Sequence, residues 1–332
     1  MTSDIRHFGT TAAGQPVAAI TLRAGELTAR ILTFGATLQD LRLAGTPWPL
    51  VLGSDLLSAY EQRLRWCGAV VGPVANRLFR AQVRLDGRLW QAQPNDGANL
   101  LHSGAEGISQ RVWTVETVRA EAVTLRLDLP HGAAALPGNR VIRATYRLAP
   151  PATLEITLDA ETDALTLMNL AHHPYWNLDG TATTAGHRLS VAADHILPTD
   201  AENLPLAPVP VETLTLDLRT PRPLPDLPPV DHNFCLSGSG LRPVAQLTGA
   251  KGVHLDLHSD APGLQVYDGR ALQSAPFPGL TGTPYGAHAG VALEPQLWPD
   301  APRHADFPPI TLAPGTPWRQ RSAVHLTRRP AA

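Results

Sequence analysis

The densest group of chemically capable side chains lies in residues 169–180, NLAHHPYWNLDG. Two adjacent histidines, His172 and His173, are followed by Pro174, Tyr175 and Trp176, so imidazoles and aromatic faces crowd together. Imidazole titrates near neutrality, which suits it to moving protons. Successive residues of extended backbone point to opposite faces, so the two histidines are expected to have different environments. One is then structural and the other faces a ligand; the residues alone leave open which. Tyrosine and tryptophan add flat apolar surface on which the C–H face of a sugar ring packs. Far along the chain, Glu294 follows the apolar residues Val291, Ala292 and Leu293 and precedes Pro295. Burial at such a position raises a carboxyl pKa, making Glu294 a candidate general base. Gln296, Trp298 and Asp300 are expected to extend a polar and aromatic rim around it.

Four further places carry polar chemistry. Asn76 and Arg77 interrupt the apolar run GAVVGPVANRLF with two planar donors suited to hydroxyl-rich ligands. The structural alternative for Arg77 is an ion pair with a surface carboxylate. His102 sits in the turn-rich NDGANLLHSG, and Asp231 opens DHNFCL, where it could equally cap a turn. His254, Asp256 and His258 in VHLDLHS share one strand face and have metal-ligand types. Their face alternates with leucines, so it is expected to be solvated, with no second shell to make a metal site.

The elements that must hold these residues are strands. Period-2 alternation places Leu125, Leu127 and Leu129 on one face. It recurs at Leu154, Ile156 and Leu158, at Leu214, Leu216 and Leu218, and at Val253, Leu255 and Leu257. Val83 and Leu85 alternate before Asp86-Gly87, a two-residue hairpin turn, with a return strand over residues 88–91. The best helix candidate is short, residues 54–65, with Ser54 as N-cap. The Pro-rich residues 220–230 read as a surface loop, and SGSG at 237–240 as a turn. A large antiparallel all-β protein follows, a single domain over residues 1–332.

Composition agrees. The 332 residues include 32 Pro and 27 Gly, punctuation that disfavours a helix bundle. With 27 Lys+Arg against 29 Asp+Glu, the net charge of −2 gives no basis for nucleic-acid binding by bulk charge or for lying on an anionic membrane. No stretch approaches the ~18 apolar residues of a membrane-spanning helix. The first residues lack the basic and apolar regions of a secretory signal, and a cytoplasmic protein is expected. Cys67 and Cys235 read as reduced core thiols.

Taken together, these segments resemble the aldose 1-epimerase family, the galactose mutarotases, from about Arg6 to Trp318. VGPVANRLFRAQVRLDGRLW, NLLHSG, NLAHHPYWNL, VDHNFCL, LQVYDG and GVALEPQLWPDA match family blocks in order. The resemblance implies a galactose mutarotase-like β-supersandwich with few short helices, a sugar cleft, a monosaccharide substrate, and no cofactor or metal. It implies Glu294 as general base, His173 as general acid, and Asn76, Arg77, His102, Asp231 and Gln265 as sugar contacts. The implied reaction interconverts the α and β anomers of free aldoses by ring opening and closure.

Several positions depart from the family pattern. Pro73 replaces an arginine, His172 an asparagine and Trp176 a phenylalanine; Pro174 follows the catalytic histidine, Ser103 takes a glycine position and Asp268 stands near a usual threonine. These changes bear on substrate preference. Two other functions fit the same fold: a hexose-6-phosphate 1-epimerase, with Arg140, Arg143 and Arg303 as phosphate candidates, and a non-catalytic sugar-binding module. Retention of a matched acid and base argues against the latter, since binding alone requires neither.

Overall fold

The structure, a computed structural model, describes residues 4–328. Its largest element is a nine-stranded antiparallel sheet. In spatial order the strands are Thr114–Val118, Ala122–Leu129, Arg140–Ala149, Thr153–Thr162, Trp318–Arg328, Val253–Ser259, Arg242–Thr248, Arg188–Val191 and Arg222–Pro223. A six-stranded sheet runs in the order Tyr175–Trp176, Val291–Gln296, Gly263–Tyr267, Asp231–Leu236, Ala193–Ile196, Val209–Pro210. Four N-terminal strands between Asp4 and Leu43 form a third sheet in simple meander order.

The predicted alternation explains how these sheets pack. Val253, Leu255 and Leu257 are buried while His254, Asp256 and His258 are half-buried on the opposite face. Leu154, Ile156 and Leu158 likewise turn inward. Ile156, Leu158, Leu257 and Val324 of the large sheet face Trp176, Leu293 and Pro295 of the six-stranded sheet across a residual gap of about 20 Å³. Each fully buried leucine here contributes roughly 1.5–3 kcal/mol of transfer free energy, which holds the two layers together. The hairpin Gln82–Leu85 / Arg88–Gln91 turns at Asp86-Gly87 as expected, and Cys67 and Cys235 are free and buried.

Two expected elements differ. The helix is only Leu57–Glu61, and Ser54 does not cap it. The Ser54 hydroxyl instead accepts from the Leu56 amide and donates to the Pro278 carbonyl, tying the entering loop to a distant one. Leu214, Leu216 and Leu218 do not form a strand. Val211–Leu214 is a 3-10 turn, and Thr215 takes a left-handed φ of 55° that breaks extended backbone. Leu216 and Leu218 are nevertheless fully buried, so the apolar alternation reports burial of a loop. The Pro-rich segment is a surface connection whose Arg222–Pro223 adds a short edge strand beside Arg188 and Leu189.

Candidate active site

Alternation along extended residues 172–176 and the strand Val291–Gln296 builds the site. His172, Pro174 and Trp176 face the interior gap between the sheets, as do Leu293 and Pro295. The intervening His173, Tyr175 and Glu294 therefore emerge on the other face, into a cleft of about 600 Å³. All seven predicted site residues line this cleft: Asn76, Arg77, His102, His173, Asp231, Gln265 and Glu294.

Glu294 and Gln265 are direct cross-strand partners, and the Gln265 amide donates to Asp231 Oδ1 at 2.7 Å from the next strand. The carboxyl of Glu294 is 2% exposed, and its Oε1 lies 3.3 Å from His173 Nε2. His173 is held by its backbone: its amide donates to the Ala69 carbonyl, and its carbonyl accepts from the Gly68 amide. Glu294 Oε2 and Gln265 Oε1 are buried with no protein partner. Orphaned acceptors of this kind are expensive to bury, and a hydroxyl-rich ligand satisfies them.

Asn76 and His102 brace each other on left-handed backbone, with φ of 59° and 50°. The His102 amide donates to the Asn76 carbonyl at 3.0 Å, and the Asn76 amide donates to His102 Nδ1 at 3.1 Å. Because Nδ1 accepts, the neutral ring carries its proton on Nε2. Arg77 both lines the cleft and donates through Nε to Asp96 Oδ2 at 2.8 Å, so the two readings of this arginine coexist. Trp66, His102, His173, Tyr175 and Tyr267 form, in that order, a chain of neighbouring rings along the wall, with successive centroids 5.0–6.2 Å apart.

Burial sets the proton inventory. Desolvation pushes Glu294 well above the ordinary carboxylate range, with the Asp231 charge adding to it. Desolvation lowers His173 to about 4. His102 is likewise driven well down by burial and then by His173 and Arg77. The two shifts favour the carboxyl over the imidazole as holder of the proton shared by the His173–Glu294 pair, since separated charges are costly in a buried site. His173 as an imidazolium, the state expected of a general acid, is the less favoured arrangement of that same proton.

His102, His173 and Glu294 also offer ligand atoms within 4.8 Å of one another. The donor set does not suit a metal, because the His102 nitrogen left free by Asn76 bears a proton, and a protonated nitrogen cannot ligate.

Other expectations are corrected by the packing. Gln296 and Asp300 are fully buried away from the cleft, and Trp298 packs on Phe307 and donates to the Pro262 carbonyl. Asp300 instead accepts from the Phe79 amide while its own amide donates to the Arg77 carbonyl, fixing the Asn76–Arg77 segment. Arg140 is buried against the Gly138 and Ala133 carbonyls, Arg143 pairs with Glu116 and Glu161, and Arg303 pairs with Asp300. None of the three lines the cleft, so the proposed phosphate cluster does not assemble. Trp66, Asn203 and Tyr267 line the cleft without having been anticipated; their signal depends on long-range register, although LQVYDG placed Tyr267 two residues after Gln265.

His172 braces the backbone beside His173. Its Nε2 lies 3.1 Å from the Gly68 carbonyl, and Gly68 in turn binds the His173 carbonyl. Burial drives His172 to about 3, so it is a neutral donor. His172→Leu is expected to cost about 1–3 kcal/mol of stability by denaturant unfolding. It should lower turnover by less than about tenfold, whereas a loss as large as that of a catalytic residue would contradict this role.

The two packed sheets carry a buried carboxyl and imidazole at the floor of a polar cleft, an acid–base pair on a β-sandwich. The aldose 1-epimerase family model matches residues 18–325. Galactose mutarotase of Rattus norvegicus is 33% identical over 316 residues, covering 91% of this chain and 92% of that protein. Aldose 1-epimerase of Escherichia coli K12 is 30% identical over 315 residues, covering 89% and 90%. The crystal structure of a GalM/aldose epimerase homologue from C. elegans superimposes with a TM-score of 0.88 at 29% identity, covering 94% of this chain and 99% of that one. The chain belongs to the aldose 1-epimerase family, and is an isomerase acting on sugars.

Proposed function

We propose that the cleft interconverts the α and β anomers of free aldoses such as glucose or galactose, with Glu294 and His173 as the proton-transfer pair. The observation that carries this reading is the contact between the buried Glu294 carboxyl and the His173 imidazole, whose pKa values burial shifts in opposite directions. Mutarotation requires one proton to leave the C1 hydroxyl and one to reach the ring oxygen. Glu294 as carboxylate takes the hydroxyl proton while His173 as imidazolium protonates the ring oxygen, and the C1–O5 bond breaks. The open aldehyde turns about C1–C2. His173 then takes the proton back from the O5 hydroxyl, Glu294 returns its proton to the carbonyl oxygen, and closure on the other face gives the other anomer. The pair ends as it began, so no cofactor enters this scheme. Arg77, His102, Asp231, Gln265 and Asn76 hold the remaining hydroxyls, and an uncharged sugar needs hydrogen bonds more than a net field.

The test follows the approach of fresh α-D-glucose and α-D-galactose to anomeric equilibrium by polarimetry or NMR. Acceleration over the buffer blank is expected. A rate equal to the blank across a panel of aldoses would sink the proposal, and activity confined to hexose 6-phosphates would redirect it.

The pair also predicts a pH profile. Below about pH 4 the imidazole takes up a second proton, no base remains, and kcat/KM falls. On the alkaline side the pair loses its only proton as pH passes the raised pKa of Glu294, and no acid remains. A plateau through neutrality with both limbs is expected; a profile lacking the acid limb would contradict the assignment.

A further inference from the structure

Behind Glu294 lies a group of buried amides that the mutarotation scheme leaves unused. We propose that Gln296 and Asn233 hold an internal water against Glu294 Oε2, which makes Gln296 a positioning residue acting on the reaction through that carboxyl. The inference rests on the reading of Glu294 as the proton acceptor. Gln296 ends the strand Val291–Gln296 two residues beyond Glu294, so both side chains leave the same face about 7 Å apart. On the neighbouring strand Gly263–Tyr267, Gln265 stands opposite Glu294 and Gly263 opposite Gln296. One strand further, Asn233 stands opposite Gln265. A Cβ atom on Gly263 would lie 2.6 Å from Asn233 Oδ1, so the Asn233 amide fills the space that a side chain opposite Gln296 would need.

Gln296 is fully buried, and neither its Oε1 nor its Nε2 has a protein partner. Asn233 Oδ1, Gln265 Oε1 and Glu294 Oε2 are buried and unpartnered on the same face of three adjacent strands. Groups of this kind are costly to bury bare, and an internal water with several polar neighbours is the usual way they are satisfied. Neither Gln296 nor Asn233 lines the cleft, so neither touches the sugar. The water accepts from Gln296 Nε2, donates one proton to Glu294 Oε2 and the other to Asn233 Oδ1. A donor aimed at Oε2 favours the carboxylate and leaves Oε1, the oxygen nearer His173, free to exchange the proton. The ionisable groups around Glu294 are His102, His173 and Tyr175 across the cleft floor and Asp231 and Tyr267 on its own sheet, with Arg63, Arg77 and Arg270 lining the same cleft. None of them bonds Oε2.

The experiment substitutes Gln296→Met, which keeps the volume and removes the amide. For mutarotation of glucose, kcat is expected to fall roughly 10–100-fold with KM little changed. The alkaline limb of the pH profile should move to higher pH, as Glu294 loses the donor that favours its charged form. In the Glu294→Gln background the same substitution should cost little further, because the group it acts through is gone. A Gln296 that serves packing alone would lower Tm and leave kcat and the alkaline limb in place, and that result overturns the proposal. An equal loss of kcat in both backgrounds overturns it too. A high-resolution crystal structure of the unaltered chain gives a readout that needs no variant. Density for a water within hydrogen-bond distance of both Gln296 and Glu294 Oε2 is expected, and a dry contact there overturns the proposal. An unaltered chain inactive on every aldose overturns the mutarotase reading and the kinetic role of Gln296 with it, whereas unchanged kinetics in Gln296→Met overturn this inference alone.

Discussion

Replacing Glu294 with glutamine is expected to lower kcat for mutarotation by roughly 10²–10⁴-fold, with KM little changed. Glutamine has nearly the same shape and keeps a hydrogen-bonding oxygen opposite Gln265, so the sugar still finds its cleft. It cannot accept the C1 hydroxyl proton. Because the lost interaction belongs to the transition state more than to the bound sugar, the effect falls on turnover. The alkaline limb of the pH profile should vanish with the carboxyl that produces it. A fall of less than tenfold, measured by polarimetry against the buffer blank, would remove Glu294 from the proton path.

The second large effect is expected for His173→Asn, again roughly 10²–10⁴-fold in kcat. The asparagine amide stops one atom short of where Nε2 stands, 3.3 Å from Glu294 Oε1, and cannot pass a proton to the ring oxygen. Its smaller side chain loses contact with the His102 and Tyr175 rings without introducing a clash. The acid and base share one proton and act as a unit. The double variant should therefore be little worse than either single variant. Fully additive losses would mean that the two residues act in separate steps. His254→Ala and His258→Ala are expected to leave the rate unaltered, since both side chains lie on the far face of the large sheet.

Much of the architecture was legible because a strand's side-chain period is two, and that period survives in the bare sequence wherever one face is buried. Leu154, Ile156 and Leu158 and the Val253–Leu257 alternation sit in strands for this reason. The same pattern misled at Leu214, Leu216 and Leu218, because burial and not backbone pairing is what alternation reports. The 3-10 turn and left-handed Thr215 there leave Leu216 and Leu218 buried without a ladder. Glu294 was readable as an ionisable group ending an apolar run. His172 and His173 were readable as opposite in environment, and a parity signal for assigning them was present: Pro174 and Trp176 share His172's face, which marks that face as the core. The rim was misplaced because Gln296, Trp298 and Asp300 lie where the strand ends and chain direction changes, beyond the reach of a periodicity argument.

The sequence by itself determined the all-β class and the family resemblance, and that resemblance named seven of the residues that line the cleft. The class follows from short-range alternation, and the site candidates from residue types whose chemistry is intrinsic together with the motifs that carry the resemblance. Only the tertiary structure decided where the proton rests. Glu294 and His173 come from segments far apart in the chain, and their contact and desolvation exist only in the folded structure. Likewise the His102 tautomer is set by the amide of Asn76, and the His258–His325 contact by the return of the last strand. Proton positions and ligand sets depend on through-space neighbours and local dielectric, which a linear pattern does not carry.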